Sequence, residues 1–197
     1  MQVNIFVSYS HRDDSYLAPD ELLGFLRGLE RDEDVRFWVD TKLAGGDRWD
    51  DEIRTQLERA HIALVLVSQS FLDSVYCRDV EVAEFLKRRR DHGLQFFPVL
   101  LSACEWERHA WLSEHQMLPG GDETIEESYT EPGLRKRMYL RIRKELRALA
   151  ERVRQQSSSK TEEEAPRTEA LAERRRVTLV HCLLGGSEEH TSELQSP

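Results

Sequence analysis

The chain has 197 residues, 39% of them apolar and 33% charged, with 7 Phe, 5 Tyr and 4 Trp. That composition can bury a core and excludes wholesale disorder. The longest apolar runs, Ile62–Val67 and Phe96–Leu101, fall far short of the ~20 residues that cross a bilayer, and a net charge of −9 argues against a general nucleic-acid footprint.

Met1-Gln2-Val3-Asn4 carries no basic segment followed by a long apolar one, so no secretory signal is expected. Cys77, Cys104 and Cys182 form neither a CxxC pair nor an even framework, which favours reduced thiols and a cytoplasmic protein, with no membrane partner expected. The charge is uneven. Residues 1–150 hold 21 basic and 28 acidic side chains, whereas residues 151–186 hold 7 and 6. The chemistry is therefore expected in an acidic globular domain, with a differently composed tail behind it.

Taken in order, Val3–Ser8 reads as a strand, and Leu22, Leu26 and Leu29 repeat at helical spacing. Val35–Val39 reads as a second strand, followed by a helix carrying Trp49, Ile53 and Leu57. Ile62–Val67 is a continuous aliphatic run, as expected of a strand buried on both faces. A helix over about 76–90 and a strand at Phe96–Leu101 follow. Strands alternating with helices at this interval predict an α/β fold with a parallel sheet and helices on both faces.

Leu101 to about Thr130 is less regular, with a turn at Pro119-Gly120-Gly121; Trp106 and Trp111 there read as packing residues. Steps of 4, 4, 4, 3 and 4 through Leu134, Met138, Ile142, Leu146, Leu149 and Val153 predict a long amphipathic helix with a solvated basic face. Gln155–Ala165 lacks periodicity and reads as a linker, so the domain is expected to span 1–154 and a disordered linker 155–172. Val177–Leu184 then reads as a strand that its own segment cannot bury, so 173–186 is expected to open a truncated second domain. Glu173–Gly186 (ERRRVTLVHCLLGG) faintly resembles the first strand of class III nucleotide cyclases, although Leu183 stands where that pattern has a metal-binding Asp. Ser187–Ser196 (SEEHTSELQS) matches the translation of a common short-read sequencing adapter, so 187–197 is expected to be an artefact and no part of the fold.

Ligands of open parallel sheets bind beyond the carboxyl ends of the strands. Those ends are Ser8-Tyr9-Ser10-His11, Asp40-Thr41-Lys42 and Ser68-Gln69-Ser70, and Gly45-Gly46 in Asp40–Trp49 permits close ligand approach. Small hydroxyls beside an Asp–Lys pair suit a polyhydroxylated, phosphorylated ligand, though they are also ordinary loop chemistry. A P-loop and a GxGxxG fingerprint are both missing. A phospho-receiver site fails because Val67-Ser68 offers no phosphoacceptor Asp beside Asp13-Asp14.

IFVSYSHRDD, FWVDTKLAGGDRW, ALVLVSQSFLDSVYCRDVE and FFPVLL, in this order over about residues 1–150, resemble the successive blocks of a TIR (Toll/interleukin-1 receptor) domain of bacterial type. The resemblance implies a flavodoxin-like five-stranded parallel sheet and self-association. It also implies, in many members, cleavage of NAD+ at the nicotinamide–ribose bond to ADP-ribose or a cyclic isomer. NAD+ is then a substrate, with no cofactor and no metal. An antiphage effector is one expectation; a non-catalytic signalling adaptor acting by homotypic contact is the alternative. The family's catalytic Glu follows an aromatic-Cys signature after the third strand. Tyr76-Cys77-Arg78-Asp79-Val80-Glu81 carries that role over to Glu81, with Asp79 and Glu84 as neighbours in register. Ser8, Tyr9, Asp40, Lys42, Gly45, Trp49 and Ser68 are the implied substrate-binding residues.

Overall fold

The computed structural model describes residues 1–32, 34–39, 47–74 and 82–184, with side chains described except at 32, 47–51 and 159–184. Two compact units are present, Met1–Arg154 and Gln155–Pro197.

In the first unit, runs rich in β-branched and aromatic residues form β1 (Val3–Ser8), β2 (Val35–Val39), β3 (Ile62–Val67) and β4 (Gln95–Leu100). They pair in parallel in the order β2-β1-β3-β4. Ile5 lies opposite both Phe37 and Ile62, and Leu64 lies opposite Phe97. All six residues of β3 are buried, which is why its sequence has no polar alternation.

Side chains alternate across the sheet and feed two cores. Val3, Ile5 and Val7 pack on one face with α1 (Leu22–Leu26), α2 (Gly28–Asp32) and the first part of α8 (Pro132–Leu184). Phe6, Ala63, Val65 and Val67 pack on the other with α3 (Asp47–Arg59), α4 (Gln69–Asp73), α5 (Val82–His92) and α6 (Ala110–Ser113). Gly24 lets α1 approach the preceding loop: a Cβ there would stand 2.0 Å from the Pro19 carbonyl oxygen. The periodicity of α8 is realised, since Met138, Ile142, Leu146, Leu149 and Val153 are all buried while Leu134 is exposed.

Two expectations are corrected. The described residues contain four strands, not five. Leu118 stands where a fifth would pair: it bridges Val99, accepting from Leu100 N–H at 2.8 Å and donating to Pro98 at 3.2 Å. The ladder ends there because Gly120 and Gly121 take φ of 114° and 63°, which turns the chain out of extended geometry at once. The helix expected over about 76–90 is present as α5 from Val82 to His92, its expected first turn falling on residues 75–81, which lie outside the described residues. A short helix α4 precedes it, initiated by Ser68, whose Oγ accepts Phe71 N–H.

In the second unit, residues 155–184 are helical, in place of the expected linker and strand. Glu, Lys, Gln, Ala and Arg dominate much of that stretch and favour helix even without an apolar stripe, which overrides the local β-branched Val177-Thr178. Residues 187–197, where the adapter-like string falls, lie outside the described residues.

Candidate functional site

The strand order reverses between β1 and β3, so the crevice beyond their carboxyl ends is the topological switch point of the sheet. Ser8 ends β1 and is buried, as are Tyr9 and Ser10 directly after it. Ser68 comes directly after β3 and is 2% exposed. Three buried hydroxymethyl side chains and a buried phenol thus gather at this one edge.

A 3-10 turn over His11–Leu17 roofs the β1 end. Ser10 starts it, its side chain accepting Arg12 N–H at 3.4 Å. The turn returns Asp13 to the crevice, where its Oδ2 accepts the Ser68 hydroxyl at 2.6 Å. Burial pushes the Asp13 carboxyl above its ordinary 3.8; the Ser68 bond opposes that shift, and the negative charges of Glu126 and Asp14 add to it. Tyr16, on the same turn, is pushed up to about 12, by burial first and then by Glu126. Tyr9 packs edge-on against His11 with ring centroids 5.5 Å apart.

At the end of β2 a cleft of about 310 Å³ opens, lined by Leu17, Pro19, Leu23, Gly24, Arg27 and Val39. Its walls are apolar with one guanidinium. Behind β2, Trp38 stacks on Phe6 with centroids 4.8 Å apart, which fixes the strand that leads into the Asp40–Trp49 segment.

The structure therefore brings together Ser8, Tyr9 and Ser68 of the implied substrate residues. Trp49 lies on the first turn of α3, in a stretch whose side chains are not described, and Asp40, Lys42, Gly45 and the catalytic candidate Glu81 lie outside the described residues. Glu84 is half-buried on the first turn of α5. The sequence places Ser10 at the β1 end, but Asp13 was missed as a member of the edge. The signal was present: Ser10-x-x-Asp13 has the spacing of a helix-start capping pattern, which marks a turn folding back after β1. Among the described residues, no three His, Cys, Asp or Glu side chains are grouped to hold a metal ion. No helix among them is long and apolar enough to cross a membrane.

Residues 5–129 match the TIR domain family. A curated relative, the uncharacterised protein y4lF of Sinorhizobium fredii, is 30% identical over 116 residues; the match covers 59% of this chain and 35% of that protein. The chain thus spans about a third of the length of its curated relative. Among solved structures, the TIR domains of the activated Roq1 resistosome, which directly recognises the pathogen effector XopQ, superpose with a TM-score of 0.51 at 13% identity, covering 74% of this chain and 99% of that one. The TIR domain of the Toll-related receptor TRR-2 of Hydra magnipapillata aligns with a TM-score of 0.46 at 16% identity, over 71% of this chain and 97% of that one.

Proposed function

The chain belongs to the TIR domain family, and on that premise we propose that it cleaves NAD+ at the nicotinamide–ribose bond when several copies assemble. The observation that carries the reading is the family match over residues 5–129, which runs through every block needed for the site, Glu81 included. The buried hydroxyls of Ser8, Ser10 and Ser68 at the switch point support it, because a dinucleotide offers ribose hydroxyls and phosphates to such an edge.

The chemistry asks little of the protein. Nicotinamide departs as a neutral ring from a cationic pyridinium, so no acid has to protonate it. Water then attacks the ribosyl carbon and loses a proton, giving ADP-ribose. Positive charge develops on the ribose as in glycoside hydrolysis, and one carboxylate held beside it lowers the barrier. Glu81 is proposed for that role. Ser8, Tyr9 and Ser68 stand at the strand ends of the switch point, and Asp40, Lys42, Gly45 and Trp49 are proposed to bind the substrate with them. The Roq1 TIR domains, similar in fold, belong to an assembled resistosome. That supports self-association as the step that completes the groove, and an immune effector as the setting, with phage as the threat in a bacterial host.

The test is NAD+ consumption by the purified chain over a range of concentrations. Specific activity is expected to rise with concentration. Activity that stays constant over a ~100-fold dilution sinks the assembly requirement. No turnover even in crowded or assembled protein overturns the enzyme reading in favour of a TIR adaptor that acts by homotypic contact alone.

A further inference from the structure

Charge is strongly segregated along the last third of the first unit. Residues 101–131 hold eight acidic side chains and one basic, a net −7, and residues 132–154 hold nine basic and two acidic, a net +7. All eight acidic residues are exposed. On α8 the buried stripe through Met138, Ile142 and Leu146 turns Arg137, Arg141 and Lys144 to solvent on the opposite face. Leu140 lies among them, 44% exposed, one of few large apolar side chains left in water. None of these three cations makes an ion pair or hydrogen bond with another described residue. The ion pairs of the acidic segment are Arg108–Glu105 and Arg89–Glu114, so Asp122, Glu126 and Glu127 around α7 (Ile125–Ser128) have no cationic partner there.

We propose that the Arg137–Leu140–Lys144 face of α8 docks on the Asp122–Glu127 surface of a second copy of this chain. The occupant is identified by complementarity. The three cations of this face are matched by the four carboxylates of Asp122, Glu123, Glu126 and Glu127, a surface present on every copy. Because the two patches are different surfaces, the contact is head to tail, and it propagates into a ring or a filament rather than closing as a two-fold dimer. Leu140 supplies the apolar centre and the cations the rim, so charges steer the encounter and set its salt dependence. This inference rests on the self-association reading above and names the surface that carries it.

The experiment is sedimentation velocity of the full chain with two triple variants. One carries Arg137→Glu, Arg141→Glu and Lys144→Glu; the other carries Asp122→Lys, Glu126→Lys and Glu127→Lys. Wild type is expected to self-associate at low salt and to dissociate by ~0.5 M salt, where the Debye length falls to a few ångströms. Each variant alone is expected to associate at least about tenfold more weakly, because like charges then face each other. An equimolar mixture of the two is expected to associate again, since the reversed patches complement one another in alternation. Far-UV circular dichroism checks that each is folded, and Gln in place of Lys at the three acidic positions serves if the reversal unfolds the chain. Wild-type association that persists in both variants overturns the proposed surface and leaves self-association standing. A wild type that remains monomeric at low salt and every concentration overturns both. Monomeric wild type that instead sediments with anionic vesicles or nucleic acid assigns the basic face to that ligand and overturns the proposal.

Discussion

Asp13 and Ser68, 55 positions apart in sequence, meet across the β1–β3 crevice through a 2.6 Å hydrogen bond from the Ser68 hydroxyl. The same Ser68 oxygen accepts Phe71 N–H at 3.0 Å, so one side chain both starts α4 and holds the turn that roofs β1. Replacing Ser68 by Ala removes the helix cap and leaves the half-buried carboxyl without its donor. The expected cost is about 1–3 kcal/mol of unfolding free energy. Chemical denaturation checks it, and a loss under about 0.5 kcal/mol, the range of ordinary surface changes, would show that the link is incidental.

The same pair predicts a pH dependence. The folded chain holds the Asp13 proton more tightly than the unfolded chain does, because burial raises this carboxyl above 3.8. Its contribution to stability is therefore full below that value and is lost as pH climbs through the raised one. Asp13→Asn has no such proton. The stability of wild type relative to Asp13→Asn should fall as pH rises from about 3 into the range above 4. Melting curves collected across that window measure the difference; one that is flat, or that grows with pH, contradicts the assigned direction.

Gly24 illustrates a residue whose requirement lies in packing alone. Alanine in the middle of a helix normally gains up to about 1 kcal/mol over glycine. Here the new methyl would meet the Pro19 carbonyl oxygen at 2.0 Å, and a backbone atom cannot rotate away as a side chain can. Overpacking costs typically about 1–3 kcal/mol, so the clash outweighs the propensity gain. Gly24→Ala should lower the thermal midpoint, and a raised midpoint would mean that the loop before α1 yields freely.

Much of this architecture is written in local pattern. β3 is legible because both of its faces are buried, and α8 because its apolar residues return every three or four positions. The loop after β4 is not, since Leu118 pairs as a single residue and its partner Val99 is 19 positions away. The Asp13–Ser68 bond is hidden for the same reason: nothing local to either residue announces the other. Within the site, Ser8, Tyr9 and Ser68 could be placed from the ends of their strands. The role of Glu81 rests instead on family resemblance, because a lone glutamate in a sequence looks the same whether it is solvated or catalytic.

The first unit should fold without residues 156–197. Val153 is the last residue of its core, and its two clusters close within Met1–Arg154. A chain ending at Gln155 should therefore keep the thermal midpoint of the 197-residue protein. Differential scanning calorimetry of the two compares them directly. A clear drop, of more than the few degrees that ~1 kcal/mol produces in a domain this size, would show that residues 156–197 contribute to the fold.

The sharpest prediction concerns Glu81. Gln in its place keeps the size and most hydrogen bonding but removes the negative charge proposed to stabilise the ribosyl cation. Losing one preorganised electrostatic group costs about 10²–10³ in rate, on the order of 3–4 kcal/mol. The near-isosteric Glu→Gln change is expected to alter stability by only about 0.5 kcal/mol, so activity and folding should separate. Asp79→Asn and Glu84→Gln test the register, because both carboxylates flank Glu81 in sequence and Glu84 sits half-buried on the first turn of α5. NAD+ turnover and thermal midpoints are measured for all four chains at the concentration where wild type is assembled. Turnover lost in Glu81→Gln alone, with its midpoint unchanged, is the expected result. Wild-type turnover in Glu81→Gln together with loss in either control moves the catalytic carboxylate to that neighbour.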